Sequence, residues 1–208
     1  MYDQISRAEL ELRKPEYKTP LPVYPASKVI LHHGGSRTPR TELEEYQQWR
    51  GYQAYHMDVR GWSDIAYNKG VGPVTGNTYA GRGFTRQGGA TGSPHDAQSV
   101  SICAIGDFHN GPASDELITG IVKCVRRGIR NGNLAPQDQI DIDAHRNFSS
   151  TSCPGDSLYG HIDEIYDLVM APFDLDDELD DIDVTEPPLE VEERLDLLEA
   201  RVTELEHG

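Results

Sequence analysis

His145 and Cys153 stand eight positions apart in Ala144–Tyr159, AHRNFSSTSCPGDSLY. An imidazole and a thiol are both good ligands for a divalent metal of intermediate softness. A third ligand is on offer far upstream, where His32 and His33 end the run KVILHH. Two imidazoles and one thiolate around zinc leave a tetrahedral ion one open position, as in a hydrolytic centre rather than a structural one. Each residue alone reads more simply as a surface histidine or a buried cysteine. The combination of a strand-ending histidine with His-x7-Cys-Pro-Gly is what points to metal chemistry.

Such a site needs rigid elements to bring its ligands together. Lys28–Leu31, closed by Gly34 and Gly35, reads as a strand buried on both faces of an α/β sheet, with the histidines at its end. Thr38, Pro39 and Thr41 start a helix over 41–57, with Leu43, Tyr46, Trp49 and Gln53 to His56 on helical spacing. Gly61–Asn68 turns into a strand at Ile65–Tyr67, and residues 70–83 alternate glycine turns with a hairpin pattern. Residues 85–98 are loop by composition, and loops of that length are more often functional than idle.

Ser99–Gly106 is a strand, and Ser114 caps a helix whose inward stripe is Leu117, Ile118, Ile121, Val122 and Val125. Ile140–His145 is a short alternating strand ending on His145. Pro154 at a first helical position opens a last helix through Leu158, Ile162, Ile165, Leu168 and Val169. The N-terminal dipole of that helix would lower the pKa of Cys153. Upstream, residues 5–14 form an arm, and Pro15, Pro20, Pro22 and Pro25 favour an extended connector.

Charge divides the 208 residues unevenly. Residues 1–172 carry 17 Lys/Arg against 20 Asp/Glu, while residues 173–208 carry 2 against 15. The expected organisation is a domain over 1–172, an acidic disordered linker over 173–189 and a short coiled-coil helix over 190–208. Val191, Leu195, Leu198, Val202 and Leu205 are spaced as a and d positions, so that helix needs a partner strand and implies a homo-oligomer. The acidity argues against nucleic-acid binding. No apolar run approaches the ~20 residues that span a bilayer, and no basic leader opens the chain, so a cytoplasmic product is expected. Cys103, Cys124 and Cys153 show no disulfide framework; the first two lie in apolar runs and read as packing residues.

From Ile5 to about Met170 the sequence resembles the type-2 N-acetylmuramoyl-L-alanine amidases, which share the peptidoglycan-recognition-protein fold. Six segments match in family order: ISRAE at Ile5–Glu9, LHHGG at Leu31–Gly35, HMDVRGWSDIAYN at His56–Asn68, YAGRG at Tyr79–Gly83, SVSICAIGDF at Ser99–Phe108 and HRNFSSTSCPG at His145–Gly155. Within the family it looks most like the amidase modules of phage endolysins, including those of actinobacteriophages. The resemblance implies a central mixed sheet flanked by helices, and zinc on His32, His145 and Cys153. It selects His32 over His33, since neighbouring strand residues face opposite ways and the family uses the first of the pair.

It also implies roles for Tyr67 as the active-site phenol and for Thr151 as a substrate-facing hydroxyl, the latter competing with a capping role. The implied reaction is hydrolysis of the amide joining N-acetylmuramic acid to L-alanine by a zinc-activated water. The implied setting is the host cytoplasm, then the cell wall after a holin opens the membrane. Two other readings are a peptidoglycan-binding module that does not cut, and a virion-associated assembly protein. Binding-only members usually lose the cysteine, and this chain keeps it. Ala66 stands where glycine is frequent, Leu10 where tryptophan is frequent, and Ala90-Thr91 where a loop histidine is frequent, with His95 further on. Arg82 reads as a solvated hairpin residue or a groove contact, and His56 as a packed or capping residue.

Overall fold

The computed structural model describes residues 3–172. The expected acidic linker and coiled-coil helix therefore lie outside the described residues. Six strands form one sheet in the order β1-β4-β3-β5-β2-β6: Gln4–Ile5 (β1), Lys28–His33 (β2), Lys69–Val71 (β3), Thr78–Ala80 (β4), Ser99–Ala104 (β5) and Asp141–Ala144 (β6). Only β3 and β4 pair antiparallel, as the expected hairpin; the remaining pairs are parallel. The result is a mixed sheet flanked by helices, as expected. Among the described residues no helix is long and apolar enough to cross a membrane.

β2 lies between β5 and β6, with His32 opposite Cys103 and Leu31 opposite both Ile102 and Ala144. Every residue of β5 is buried, as a strand covered on both faces requires. Alternation sends Val29 and Leu31 into one core with Val100, Ile102 and Ile142. Helix α2 (Asp115–Arg130), capped by the Ser114 hydroxyl, covers that core with Leu117, Ile118, Ile121, Val122 and Val125. This is the inward stripe read from the sequence.

The opposite face packs on helix α1 (Glu42–Ala54), where Trp49, Tyr79, Ile65 and Cys103 form a second core. Here the expected stripe is corrected. Leu43 is exposed, and the buried side of α1 is Glu45, Trp49 and Gln53. Two of those three are polar because each has fixed donors. The Glu45 carboxylate accepts from the amides of Val74 and Thr75, the Thr75 hydroxyl and the Tyr79 hydroxyl. A count of apolar residues cannot see a helix face stabilised in this way. α1 then widens into a π turn, Tyr55–Val59, which buries His56.

Two further expectations are corrected. Ile65–Tyr67 is not a strand, since its backbone groups bond outside the ladder: Ala66 N–H donates to His56 Nδ1 and the Ile65 carbonyl accepts from Arg82. Pro154 does not open a long helix either. Gly155 has φ 90°, a four-residue helix α3 runs Asp156–Tyr159, and α4 runs Ile162–Met170 with Leu168 exposed.

Gly155 fixes the approach of the Cys153 segment to the loop after β5. A Cβ there would lie 2.3 Å from the Phe108 carbonyl carbon, and its φ lies in the left-handed region. Gly155→Ala should cost roughly 1–3 kcal/mol from backbone strain alone, with the overlap adding to it. The readout is a lower denaturation midpoint in urea at an unchanged slope.

Candidate metal centre

β2, β6 and the segment before α3 deliver His32, His145 and Cys153 to one point. Their donor atoms lie within 4.8 Å of one another. Cys153 Sγ is 3.8 Å from His32 Nδ1, and the His32 and His145 rings are 4.6 Å apart. Zinc bonds of about 2.0–2.1 Å to nitrogen and 2.3 Å to sulfur, at a tetrahedral angle, put N and S roughly 3.5 Å apart. The observed spacing needs only a small adjustment. His33 stands on the other face of β2, so the choice of His32 agrees with strand alternation.

The electrostatics fit the same group. Burial pushes the His32 pKa well below its ordinary value, and the neighbouring His145 and His33 push it the same way. Burial also lowers that of His145. Both imidazoles are therefore held neutral, the form that binds metal. Cys153 corrects the expectation of a dipole-activated thiolate: burial pushes its pKa up to about 11, against the lowering effects of the His33 amide and Arg146. A one-turn helix does not outweigh desolvation here. The thiol keeps its proton until a cation replaces it.

A sequence description of the N-acetylmuramoyl-L-alanine amidases matches residues 22–156, which hold all three of these side chains. The chain belongs to that amidase family. Peptidoglycan-recognition protein SC2 of Drosophila simulans is 30% identical over 158 residues, covering 76% of this chain and 83% of that protein. Peptidoglycan recognition protein 1 of Rattus norvegicus is 34% identical over 131 residues, covering 63% and 69%. Among solved structures, Drosophila PGRP-LB superposes with a TM-score of 0.73 at 28% identity, covering 78% of this chain and 93% of that one. Peptidoglycan recognition protein LE in complex with tracheal cytotoxin superposes at 0.72 and 28%, covering 77% and 92%.

Around this amidase-family centre the structure places the other expected residues unequally. Tyr67 stands beside the centre, its ring 5.6 Å from His32, and burial lifts its phenol well above the ordinary range. It is thus a hydrogen-bond donor at neutral pH and not a base. The Thr151 hydroxyl accepts the Cys153 amide at 3.2 Å on an exposed residue, a local turn and not a helix cap, since α3 begins at Asp156 with Gly155 before it. Arg82 is not a solvated hairpin residue: its guanidinium donates to the carbonyls of Ile65 and Gln87 and ties two loops together. His56 is packed, as expected, and its Nδ1 accepts the Ala66 amide.

Thr91 was not singled out by the sequence except as a departure. Its hydroxyl meets His32 Nε2 at 3.2 Å, and its carbonyl hydrogen-bonds the His145 ring. In the tautomer that donates from Nε2 to Thr91, the Nδ1 lone pair of His32 faces Cys153. Asp96 anchors this loop by accepting the amides of Thr91 and Gly92. The available signal was loop length alone, because a threonine among glycines marks no chemistry by itself.

Outer partners of metal-bound histidines typically carry about 10–100-fold of metal affinity. Thr91→Val keeps the shape and removes the hydroxyl, so zinc affinity should fall within that range in competition with a chromophoric chelator. His56 supplies a pH test in metal-free protein. Burial lowers its pKa from 6.5 to about 4, so the unfolded chain takes up the proton first as pH falls. Its contribution to stability is present above pH 6.5 and is lost down to pH 4. His56→Gln should flatten the fall in denaturation midpoint across that window relative to the parent chain.

Proposed function

We propose that this chain is a zinc-dependent peptidoglycan hydrolase cleaving the amide between N-acetylmuramic acid and L-alanine of the stem peptide. The observation that carries this reading is the complete set of His32, His145 and Cys153 at one point in a chain of the amidase family. His32, His145 and Cys153 would hold the ion. Zinc bound there supplies Lewis acidity, which polarises a carbonyl and acidifies water.

The chain's own residues do the rest. Thr91, held by Asp96, orients both imidazoles. Tyr67, kept protonated by burial, donates a hydrogen bond to the oxygen on which charge develops as the amide is attacked. Thr151 is exposed beside Cys153, where its hydroxyl can reach the scissile carbonyl once it leaves the Cys153 amide. Thr91 and Tyr67 both stand against the His32 ring.

The deployment we propose is that of a phage lytic enzyme, made in the host cytoplasm and acting on the wall, with the C-terminal heptads joining copies. It rests on the likeness of the sequence to endolysin amidase modules, since the order of the six segments is common to the whole family. A binding module is the second reading, favoured by relatives that bear the name of recognition proteins.

Purified peptidoglycan digested by the full chain should release peptides with a free L-alanine amino terminus, detected by mass spectrometry and lost with chelator. Cys153→Ser and His145→Ala should each abolish release and zinc binding together. Tyr67→Phe should retain zinc and lose about 100–1,000-fold in rate. Sedimentation of the wild type with peptidoglycan, without released peptide, would establish the binding module instead; hydrolysis surviving in a metal-free variant would overturn the zinc assignment.

A further inference from the structure

The other face of β2 carries a second group that the proposed reaction does not use. His33, Asp107 and His109 each offer a donor atom, and these lie within 4.8 Å of one another. The His33 and His109 rings are 4.7 Å apart, and His33 Nδ1 is 3.7 Å from Asp107 Oδ1. Asp107 Oδ1 meets His109 Nδ1 at 2.6 Å and accepts the His109 amide at 3.0 Å. The Ser152 hydroxyl meets His109 Nε2 at 2.6 Å, and the Phe108 amide donates to His33 Nδ1 over a longer 3.3 Å.

The His33 side chain is 5% exposed and forms a floor, whereas His109 at 34% and Asp107 at 44% form a rim open to solvent. Two imidazoles and one carboxylate suit a divalent first-row metal such as zinc, nickel or copper. Magnesium and calcium prefer sites made of oxygen alone. An entering ion takes the place of the proton between His109 Nδ1 and Asp107 Oδ1, and of the long contact from Phe108. In a neutral His109 that proton moves to Nε2, where the Ser152 hydroxyl can accept it.

We propose that His33, Asp107 and His109 form a second divalent transition-metal site, back to back with His32, His145 and Cys153 across β2. The two sites share a wall. The His33 amide donates to Cys153 Sγ at 3.4 Å, and Ser152, on His109, directly precedes Cys153. Lacking a thiolate and open at its rim, the second site is the weaker of the two. Its existence does not depend on the amidase reaction.

Zinc is the probe. The metal-free full chain is titrated against a chromophoric chelator, bound metal is counted by equilibrium dialysis, and cobalt is used in parallel. Wild type should take up two equivalents, the second at least tenfold weaker, and only the first cobalt should give a thiolate charge-transfer band. His109→Ala and Asp107→Asn should each lose the weaker equivalent and keep the band. Cys153→Ser should lose the band and keep the weaker equivalent. Both rim residues are partly exposed, and melting of the metal-free variants checks that they fold. A single wild-type equivalent that Cys153→Ser removes, or a second equivalent persisting in both rim variants, overturns the site. A wild type whose only equivalent survives Cys153→Ser and is lost in His109→Ala would instead overturn the first centre and leave this one standing.

Discussion

The register of β2 is the constraint on which the rest depends. Side chains alternate with a period of two, so a strand held in fixed pairing on both edges has no freedom in which face each residue takes. β2 is held that way, by β5 along six residues and by β6 along four. His32 and His33 are thereby sent to opposite faces, each toward a different cluster of metal-type donors. A slip of one residue would exchange them and place the apolar set of Val29 and Leu31 against α1. The α2 core favours this register, because Val29 and Leu31 pack there with the inward stripe of α2.

Burial then sets the protonation states. Desolvation disfavours charge, and it lowers imidazole pKa values while raising those of the thiol and phenol. His32 and His145 are thus neutral, and Cys153 and Tyr67 protonated, at the same pH. The four groups are mutually compatible side by side without any counter-charge. A cation entering it finds two lone pairs ready and must displace one proton, from sulfur. That asymmetry would make uptake of the proposed zinc pH-dependent through Cys153 rather than through the histidines.

How much of this was legible in the sequence follows from what each residue depends on. β2, β5 and α2 were readable because their burial is apolar and periodic; the candidate ligands stood out because histidine and cysteine carry their chemistry in their type, while the choice of His32 over His33 came from the family resemblance. The face of α1 was not, because Glu45 and Gln53 are buried through partners thirty to forty residues away. Ile65–Tyr67 looks like a strand by composition, yet His56 and Arg82 take its backbone groups. Thr91 has no signature at all, since its role exists only once the loop closes on Asp96. The state of Cys153 was misread for a related reason: helix polarity can be guessed from Pro-Gly, while desolvation depends on the whole surrounding pocket.

Cys153 also bears on the choice between cutting and binding. As a packing residue, a buried thiol would be served by apolar neighbours. Instead Cys153 meets the His33 amide and the Nδ1 of a neutral histidine, while its segment is pinned through the Thr151 hydroxyl and Gly155. A serine hydroxyl also accepts an amide proton, so hydrogen bonding alone gives no reason for sulfur. A soft ligand does. Sulfur at this point, facing two imidazoles held neutral, is the feature of the fold that a recognition surface would not need and a metal-dependent hydrolase would.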